Sequence, residues 1–534
     1  MDRSHTYWSA PGGRISVGVL RIAIATSLAW TLVRIADHAA ASQSALYYPH
    51  GIWLAFPGRP GPALLAALTW IAWPATIAFG LGAHTRLAHA ISLASILALA
   101  TFEISSMPTW THQNVPPVLA SIAFLGARGG DALSIDAVVR RRRGLPPLDV
   151  PGGYGWTVRL VQIAVASVFF VAGCCKLRSG GGLAWALSDN LRHQLLMRFD
   201  WIHLPRTAAA DWIVQTPWRY RTFALLNLGS QLSPIASAFM MRWPLLRAAL
   251  GLVWCCEVLG LGIVMALWDT HWLPLAAAFV DWDRLLRAPP AAPAPAPGEV
   301  ARAPLGRRVF VAGLLGFAAA QAFVLNQRLN LYPFSSYPMF SEVRAKRPYD
   351  RHQSYELLGG RIELVAARPL RDTQQRWIDR RVIYRWMWQD RDPESVRRKL
   401  HGLLDDVRRR FPNAGITAAR IWLVVDRAPP YPAPARLERS DLAITGELDT
   451  AGNFRSALGR LDGDRATTAP RGLDLAAAPL IAYRDDLRAP APVAATRDAG
   501  GFTLAAPLDG DPVYLAAIVD GRPWLVAHRA PRGY

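Results

Sequence analysis

Residues 156–185 read WTVRLVQIAVASVFFVAGCCKLRSGGGLAW. The run from Trp156 to Lys176 is apolar over the length a bilayer core asks of a helix, roughly 20 residues. It ends in Lys176 and Arg178, then in Gly180, Gly181 and Gly182, then in Trp185. Two readings of this ending are open. The lysine is an interfacial anchor that reaches the headgroups while the tryptophan sits in the aromatic belt. Alternatively, it is a functional amine beside a turn whose glycines let backbone approach closely. Working outward, further apolar runs cover 15–36, 62–82, 86–105, 115–127, 221–241, 246–267, 270–282 and 308–326. The pattern predicts a mainly α protein: a polytopic transmembrane helical bundle of about eight or nine helices, with 115–127 and 270–282 short for a full crossing.

Composition agrees. The 534 residues are 52% hydrophobic, and most of the first 330 lie in apolar runs while most of the charge follows them, the signature of a membrane region joined to a water-soluble one. The formal net charge of +20 comes almost wholly from arginine. Part of it collects in short loops between spans, no nucleic-acid motif accompanies it, and no nucleic-acid partner is expected. The four cysteines, Cys174, Cys175, Cys255 and Cys256, fall inside apolar runs. Neighbouring residues on a helix point about 100° apart and no histidine joins these pairs, so they read as buried apolar thiols and no metal is expected. Residues 15–36 resemble a signal peptide in being Ala-rich, but Arg21 and Arg34 interrupt them and further spans follow, so the first membrane helix is the reading.

The arginine-bearing loops predict an orientation. With the N-terminus in the cytoplasm, Arg86, Arg128, the run Arg140–Arg143, Arg242 and Arg247, and the linker arginines from Arg284 to Arg308 share the cytoplasmic side. This holds only if both short spans, 115–127 and 270–282, cross, and it places the C-terminal region outside the cytoplasm. Residues 288–298, APPAAPAPAPG, form a Pro/Ala linker. After Asn326 the pattern changes to an α/β domain over 331–432 and a β-rich module over 433–534. Within these, 355–367 reads as a strand hairpin around Gly359 and Gly360, 372–411 as charged amphipathic helix with a break near Pro393, and 416–425, 513–519 and 524–528 as strands. Residues 332–341, YPFSSYPMFS, suit an interfacial elbow.

Four stretches together resemble one family. Phe169–Leu177, FFVAGCCKL, followed by Trp185, is similar to a helix end of the vitamin K-dependent gamma-carboxylase-like proteins, which share the horizontally transferred transmembrane (HTTM) domain. Tyr47–Trp53, YYPHGIW, is similar to that family's aromatic-Pro-Asp-Gly segment, with His50 in place of Asp. Trp110–Asn114 before an apolar run is similar to the lead-in of its fourth span, with His112 three residues before the position where the carboxylases carry histidine and this chain carries Val115. Gly130–Ala137 is similar to its Gly-Asp-x-x-Ser-x-Asp segment. The resemblance covers residues 10–330.

The resemblance implies that Lys176 is the base for a reduced quinone of the vitamin K type, with oxygen and carbon dioxide as co-substrates and a peptide glutamate as the group carboxylated. It implies a bacterial inner-membrane protein whose external domain meets a protein or peptide partner. Candidate site residues are Lys176 and His112 as catalytic groups, with His50, Asn114, Trp185 and Glu257 around the quinone. Glu257 enters on its own account: an isolated carboxylate within a span is a functional candidate, or else a hydrogen-bonded packing residue. Glu103 reads as a solvated helix end. Arg192, His193, Arg198 and His203 read as a loop, solvated or binding an anion. A non-catalytic scaffold displaying its external domain is the alternative to an enzyme.

Overall fold

The computed structural model describes residues 13–41, 47, 49–56, 58–106, 113–145, 154–179, 181–201, 205–286, 305–327, 330–331, 334–335, 349–359, 377–378, 381–384, 393–410, 412–468, 470–484, 490–498, 500–508 and 513–529. Helices fill the chain up to Gln327: α1 (Arg14–Ala41), α2 (Pro62–Leu81), α3 (Thr85–Ser105), α4 (Val115–Ala123), α5 (Ile135–Arg142), α6 (Gly155–Ser179), α7 (Ala184–Leu187), α8 (Asn190–Trp201), α9 (Ala208–Val214), α10 (Pro217–Leu232), α11 (Pro244–Met265), α12 (Trp282–Leu285) and α13 (Leu305–Gln327).

Among the described residues 5 helices, α1, α2, α3, α6 and α11, are long and apolar enough to cross a membrane. The other expected spans fall short for local reasons. The α4 helix has 9 residues and opens on Pro116 and Pro117, which the first turn accepts because its N–H groups lack partners anyway. The run 221–241 is not continuous, because α10 stops at Leu232 and Pro234 starts a separate 3-10 segment, Pro234–Phe239. Thr270–Phe279 is also 3-10, with Pro274 inside it. Of α13, Ala312–Phe323 is a shorter apolar stretch. The linker 288–298 and most of 332–341 lie outside the described residues.

The α6 helix is the hub. It touches α1, α4, α10, α13 and the 3-10 segments Pro234–Phe239 and Thr270–Phe279. Its Val161, Val165 and Phe169 share one core with Leu28 and Leu32 of α1, Leu99 of α3, Val118 of α4, and Trp254 of α11. A small layer covers the C-terminal ends of α6 and α11. There Trp185 of α7, Leu195 and Phe199 of α8, Ile213 of α9 and Tyr220 of α10 pack together with Met265.

Strands dominate beyond Asn330. After the short pair β1 (Asn330–Leu331) and β2 (Phe334–Ser335) come β3 (Tyr349–Leu358), β4 (Trp377–Ile378), β5 (Arg381–Tyr384), β6 (Ala418–Arg427), β7 (Glu438–Asp449), β8 (Phe454–Arg455), β9 (Gly459–Asp462), β10 (Arg465–Thr468), β11 (Leu480–Arg484), β12 (Ala491–Val493), β13 (Ala495–Asp498), β14 (Gly501–Leu504), β15 (Val513–Val519) and β16 (Arg522–Arg529). A 10-stranded sheet runs β12-β11-β15-β16-β7-β6-β3-β5-β4, with β8 on β7, and a 4-stranded antiparallel sheet runs β13-β14-β10-β9. In the large sheet, β3 (Tyr349–Leu358) and β7 (Glu438–Asp449) flank β6 (Ala418–Arg427), all antiparallel, and β16 (Arg522–Arg529) joins β7 in parallel. Helix α14 (Pro393–Arg410) buries Val396, Leu400, Leu403, Leu404 and Val407, one face at helical spacing, against Tyr355, Leu357, Ile421 and Leu423. The strands expected near 416–425, 513–519 and 524–528 are present as β6, β15 and β16. Two local readings change. Trp377–Ile378 and Arg381–Tyr384 are short strands, so the helix of 372–411 begins at Pro393, and β3 pairs with β6 and β5; Gly360 and the return strand of the expected hairpin lie outside the described residues. The boundary expected near 432 falls between β6 and β7, which pair along their whole length, so one sheet runs across it.

The loop from β6 to β7, residues 428–437, seats the sheet on the helical layer. Arg192, buried on α8, donates to the carbonyl oxygens of Pro429 and Ala433, the latter at 2.7 Å. Arg206 donates to the Ala435 carbonyl at 2.9 Å. Leu196 and Met197 pack on Ala428.

Candidate active site around Lys176

The glycines after α6 explain where Lys176 points. Gly181 and Gly182 take φ of +66° and +71°, which costs glycine little, and the Gly182 N–H returns to the Leu177 carbonyl at 2.8 Å. The chain reverses, α7 begins at once, and Trp185 comes back over the lysine, with Lys176 Nζ 4.4 Å from the ring centroid. Both residues are buried, at 5% and 1% exposure. The amine therefore turns into the protein, and the interfacial-anchor reading does not describe it.

Its hydrogen bonds go to α10. Lys176 Nζ donates to Asn227 Oδ1 at 2.7 Å and to Gln231 Oε1 at 2.9 Å. Their amide nitrogens face the other way: Asn227 Nδ2 and Gln231 Nε2 donate to Glu257 Oε1 on α11 at 2.6 and 2.8 Å, and Ser230 Oγ donates to Glu257 Oε2. The lysine amine and a carboxylate are thus joined through two amides whose dipoles align from one group to the other. The close approach of α10 rests on Gly173, where an added Cβ would lie 2.9 Å from a Leu232 methyl and 3.5 Å from Gln231 Cβ.

The other candidate residues gather elsewhere. The His50 N–H donates to Ser105 Oγ at 2.9 Å, and Asn114 Nδ2 donates to Glu103, which is buried and not a solvated helix end. His50 and Asn114 therefore belong to the C-terminal end of α3, whereas the partners of Lys176 are Asn227, Gln231 and Trp185. His112 lies outside the described residues, as does His203. Its neighbour Gln113 joins a second polar cluster: Arg34 donates to Gln113 Oε1 at 2.6 Å, to Asp269 Oδ1 at 3.0 Å and to His271 Nδ1 at 2.8 Å. An arginine only donates, so Nδ1 of His271 accepts and Nε2 carries the proton toward the Gln113 carbonyl, 2.7 Å away. Arg192, His193 and Arg198 are on helix α8, with Arg192 and His193 buried, and do not form a loop. All four cysteines are free, and no group of metal ligands occurs among the described residues.

Sequence reading selected Lys176, Trp185 and Glu257 and missed Asn227, Ser230 and Gln231. A signal was there: three polar residues at i, i+3 and i+4 share one face of the apolar C-terminal half of α10. No known protein family, curated protein or solved structure matches the chain.

Proposed function

We propose that this is a membrane enzyme of the gamma-carboxylase-like kind, acting with a reduced membrane quinone and using Lys176 as its base. One observation carries the reading: a lysine amine withdrawn from the surface, walled by an indole and held by two amides that relay to a carboxylate. The donor set fits a phenol-bearing ring. Trp185 supplies an aromatic wall, the amine takes up a proton, and the amides of Asn227 and Gln231 both donate and accept. A reduced quinone, when bound, supplies the redox chemistry. The chain's part is to accept the hydroxyl proton at Nζ, to balance the ammonium with Glu257 through the amides, and to exclude water with the layer of α7 to α10. In this reading both short spans cross, so the bundle traverses the bilayer nine times, with the N-terminus in the cytoplasm and the sheet region outside it.

A scaffold is the second reading, favoured by the completeness of the Lys176 network, since an amine with two amide acceptors and an aromatic face is already satisfied. Substitution separates the two. Oxygen uptake by the purified protein supplied with a reduced naphthoquinone should fall about 10²–10⁴-fold in Lys176→Ala, the usual contribution of a general base. Lys176→Arg should fail equally, because a guanidinium stays protonated and cannot take up a proton. Full oxygen uptake in the arginine variant, or wild-type protein that neither consumes oxygen nor yields quinone in its organic extract, leaves the scaffold standing.

A further inference from the structure

A feature outside the Lys176 site lies at the opposite end of the α2–α3 pair from Glu103. Helix α5 is held against the turn between α2 and α3. Its Asp136 carboxylate accepts from the N–H groups of His84 and Thr85 at 2.9 and 3.0 Å and from Thr85 Oγ1 at 2.7 Å, and its own N–H donates to the Gly82 carbonyl at 2.9 Å. Ser134 caps the helix by accepting from the Ala137 N–H at 2.9 Å. From beneath, Arg21 of α1, fully buried, donates to the carbonyls of Gly129, Ala132 and Leu133. A helix of 8 residues is therefore fixed rigidly beside the ends of two helices of membrane-crossing length.

What α5 presents outward is unusual for a water-exposed helix. Ile135, Val138, Val139 and Arg142 stand at i, i+3, i+4 and i+7, one face of the helix, and all are exposed. Leu133 before the helix and Leu145 after it extend the apolar edge, at 51% and 47% exposure. Arg141, Arg142 and Arg143 are exposed beside this edge, with Arg86 exposed on the first turn of α3. Among the described residues the acidic groups here are already engaged, Asp136 as above and Asp131 by the Tyr154 hydroxyl at 2.8 Å and by Arg128 at 4.0 Å. An apolar edge bordered by exposed arginines, at the level where spans end, matches the pattern of a helix lying in the bilayer interface.

We propose that α5 lies along the membrane surface with Leu133, Ile135, Val138 and Val139 set into the acyl boundary, and that Arg141, Arg142 and Arg143 bind the phosphodiester headgroups of anionic phospholipid. The inference rests on the bundle being membrane-embedded and is independent of any activity at Lys176. Apolar residues fix the depth and the guanidiniums fix the headgroup: flexible arginine side chains reach up from the edge, and each pairs with phosphate oxygens in bidentate fashion.

The test uses the full-length protein in neutral detergent, with thermal unfolding followed as lipid is added. Phosphatidylglycerol should raise the midpoint of the wild type, whereas phosphatidylcholine and inorganic phosphate at equal concentration should not. In the Arg141→Gln/Arg142→Gln/Arg143→Gln variant the phosphatidylglycerol concentration needed for half the effect should rise about tenfold or more, as expected for losing several surface charges. Should that variant unfold on purification, Arg142→Glu alone supplies the measurement. Val138→Asn/Val139→Asn should weaken the response to phosphatidylglycerol while leaving the arginines in place. Equal stabilisation by phosphatidylcholine, equal stabilisation by free phosphate, or an unchanged titration in the arginine variants would overturn the proposal.

Discussion

Glu257 accepts from Asn227, Ser230 and Gln231, and the two amides can present their oxygens to Lys176 only because their nitrogens are occupied by that carboxylate. Removing one end of such a chain strands the other charge in an apolar setting. Glu257→Leu or Lys176→Met alone should therefore destabilise the protein by about 3–5 kcal/mol, and the double variant by clearly less than the sum. Thermal unfolding in detergent measures the cycle; additive losses would show that the two residues do not act as a unit. At this scale the sequence was informative where chemistry is rare. A lysine at the end of an apolar run and a glutamate inside one stand out against their surroundings. Asn227 and Gln231 carry no charge and lie on a half-polar helix, so their role emerges only when α6, α10 and α11 are placed side by side. His50 and Asn114 show the opposite failure: order along the chain suggested proximity to Lys176, whereas the fold commits them to Ser105 and Glu103.

The pairing of α6 with α10 depends on Gly173, which has no side chain to hold the helices apart. Gly173→Val should cost about 1–3 kcal/mol, as overpacking does, and should pull Gln231 away from the amine. The chain has three lysines, Lys176, Lys346 and Lys399, so modification by an amine reagent can be assigned residue by residue by mass spectrometry. Lys176 should be protected in the wild type and labelled in the Gly173→Val variant; equal protection in both would mean that this contact does not control access. Element limits were legible where length and apolarity coincide, as in α2, α3, α6 and α11. They were not where proline intervenes. A window that averages hydrophobicity passes over Pro234 and Pro274, yet each changes the hydrogen-bonding pattern of the backbone it enters. The amphipathic spacing of α14 was visible, but the strands before it are too short to outweigh their charged neighbours.

Across the whole molecule, a mostly helical half meets a half built on one large sheet, and the arginine-bearing loops predict that the sheet lies outside the cytoplasm. A reporter enzyme active only in the cytoplasm, fused after Tyr534, should be silent, and one fused after Arg143 should be active; the reverse pattern would invert the orientation. The change of character after Asn326 was plain in the sequence. That a single sheet spans position 432 was not, because strand pairing between β6 and β7, and between β7 and the distant β16, leaves no mark on composition. The two halves meet at the 428–437 loop, where Arg192 and Arg206 hold main-chain carbonyl oxygens. A carbonyl is the same whatever side chain accompanies it. The lineage of this protein is thus free to respell the exposed positions of the loop, provided its length and course persist and Ala428 still fits against Leu196 and Met197, while the two arginines carry the seat. Among descendants, the surest mark of a seated sheet would be a pair of arginines on the far side of the seam, facing a stretch that no longer resembles itself.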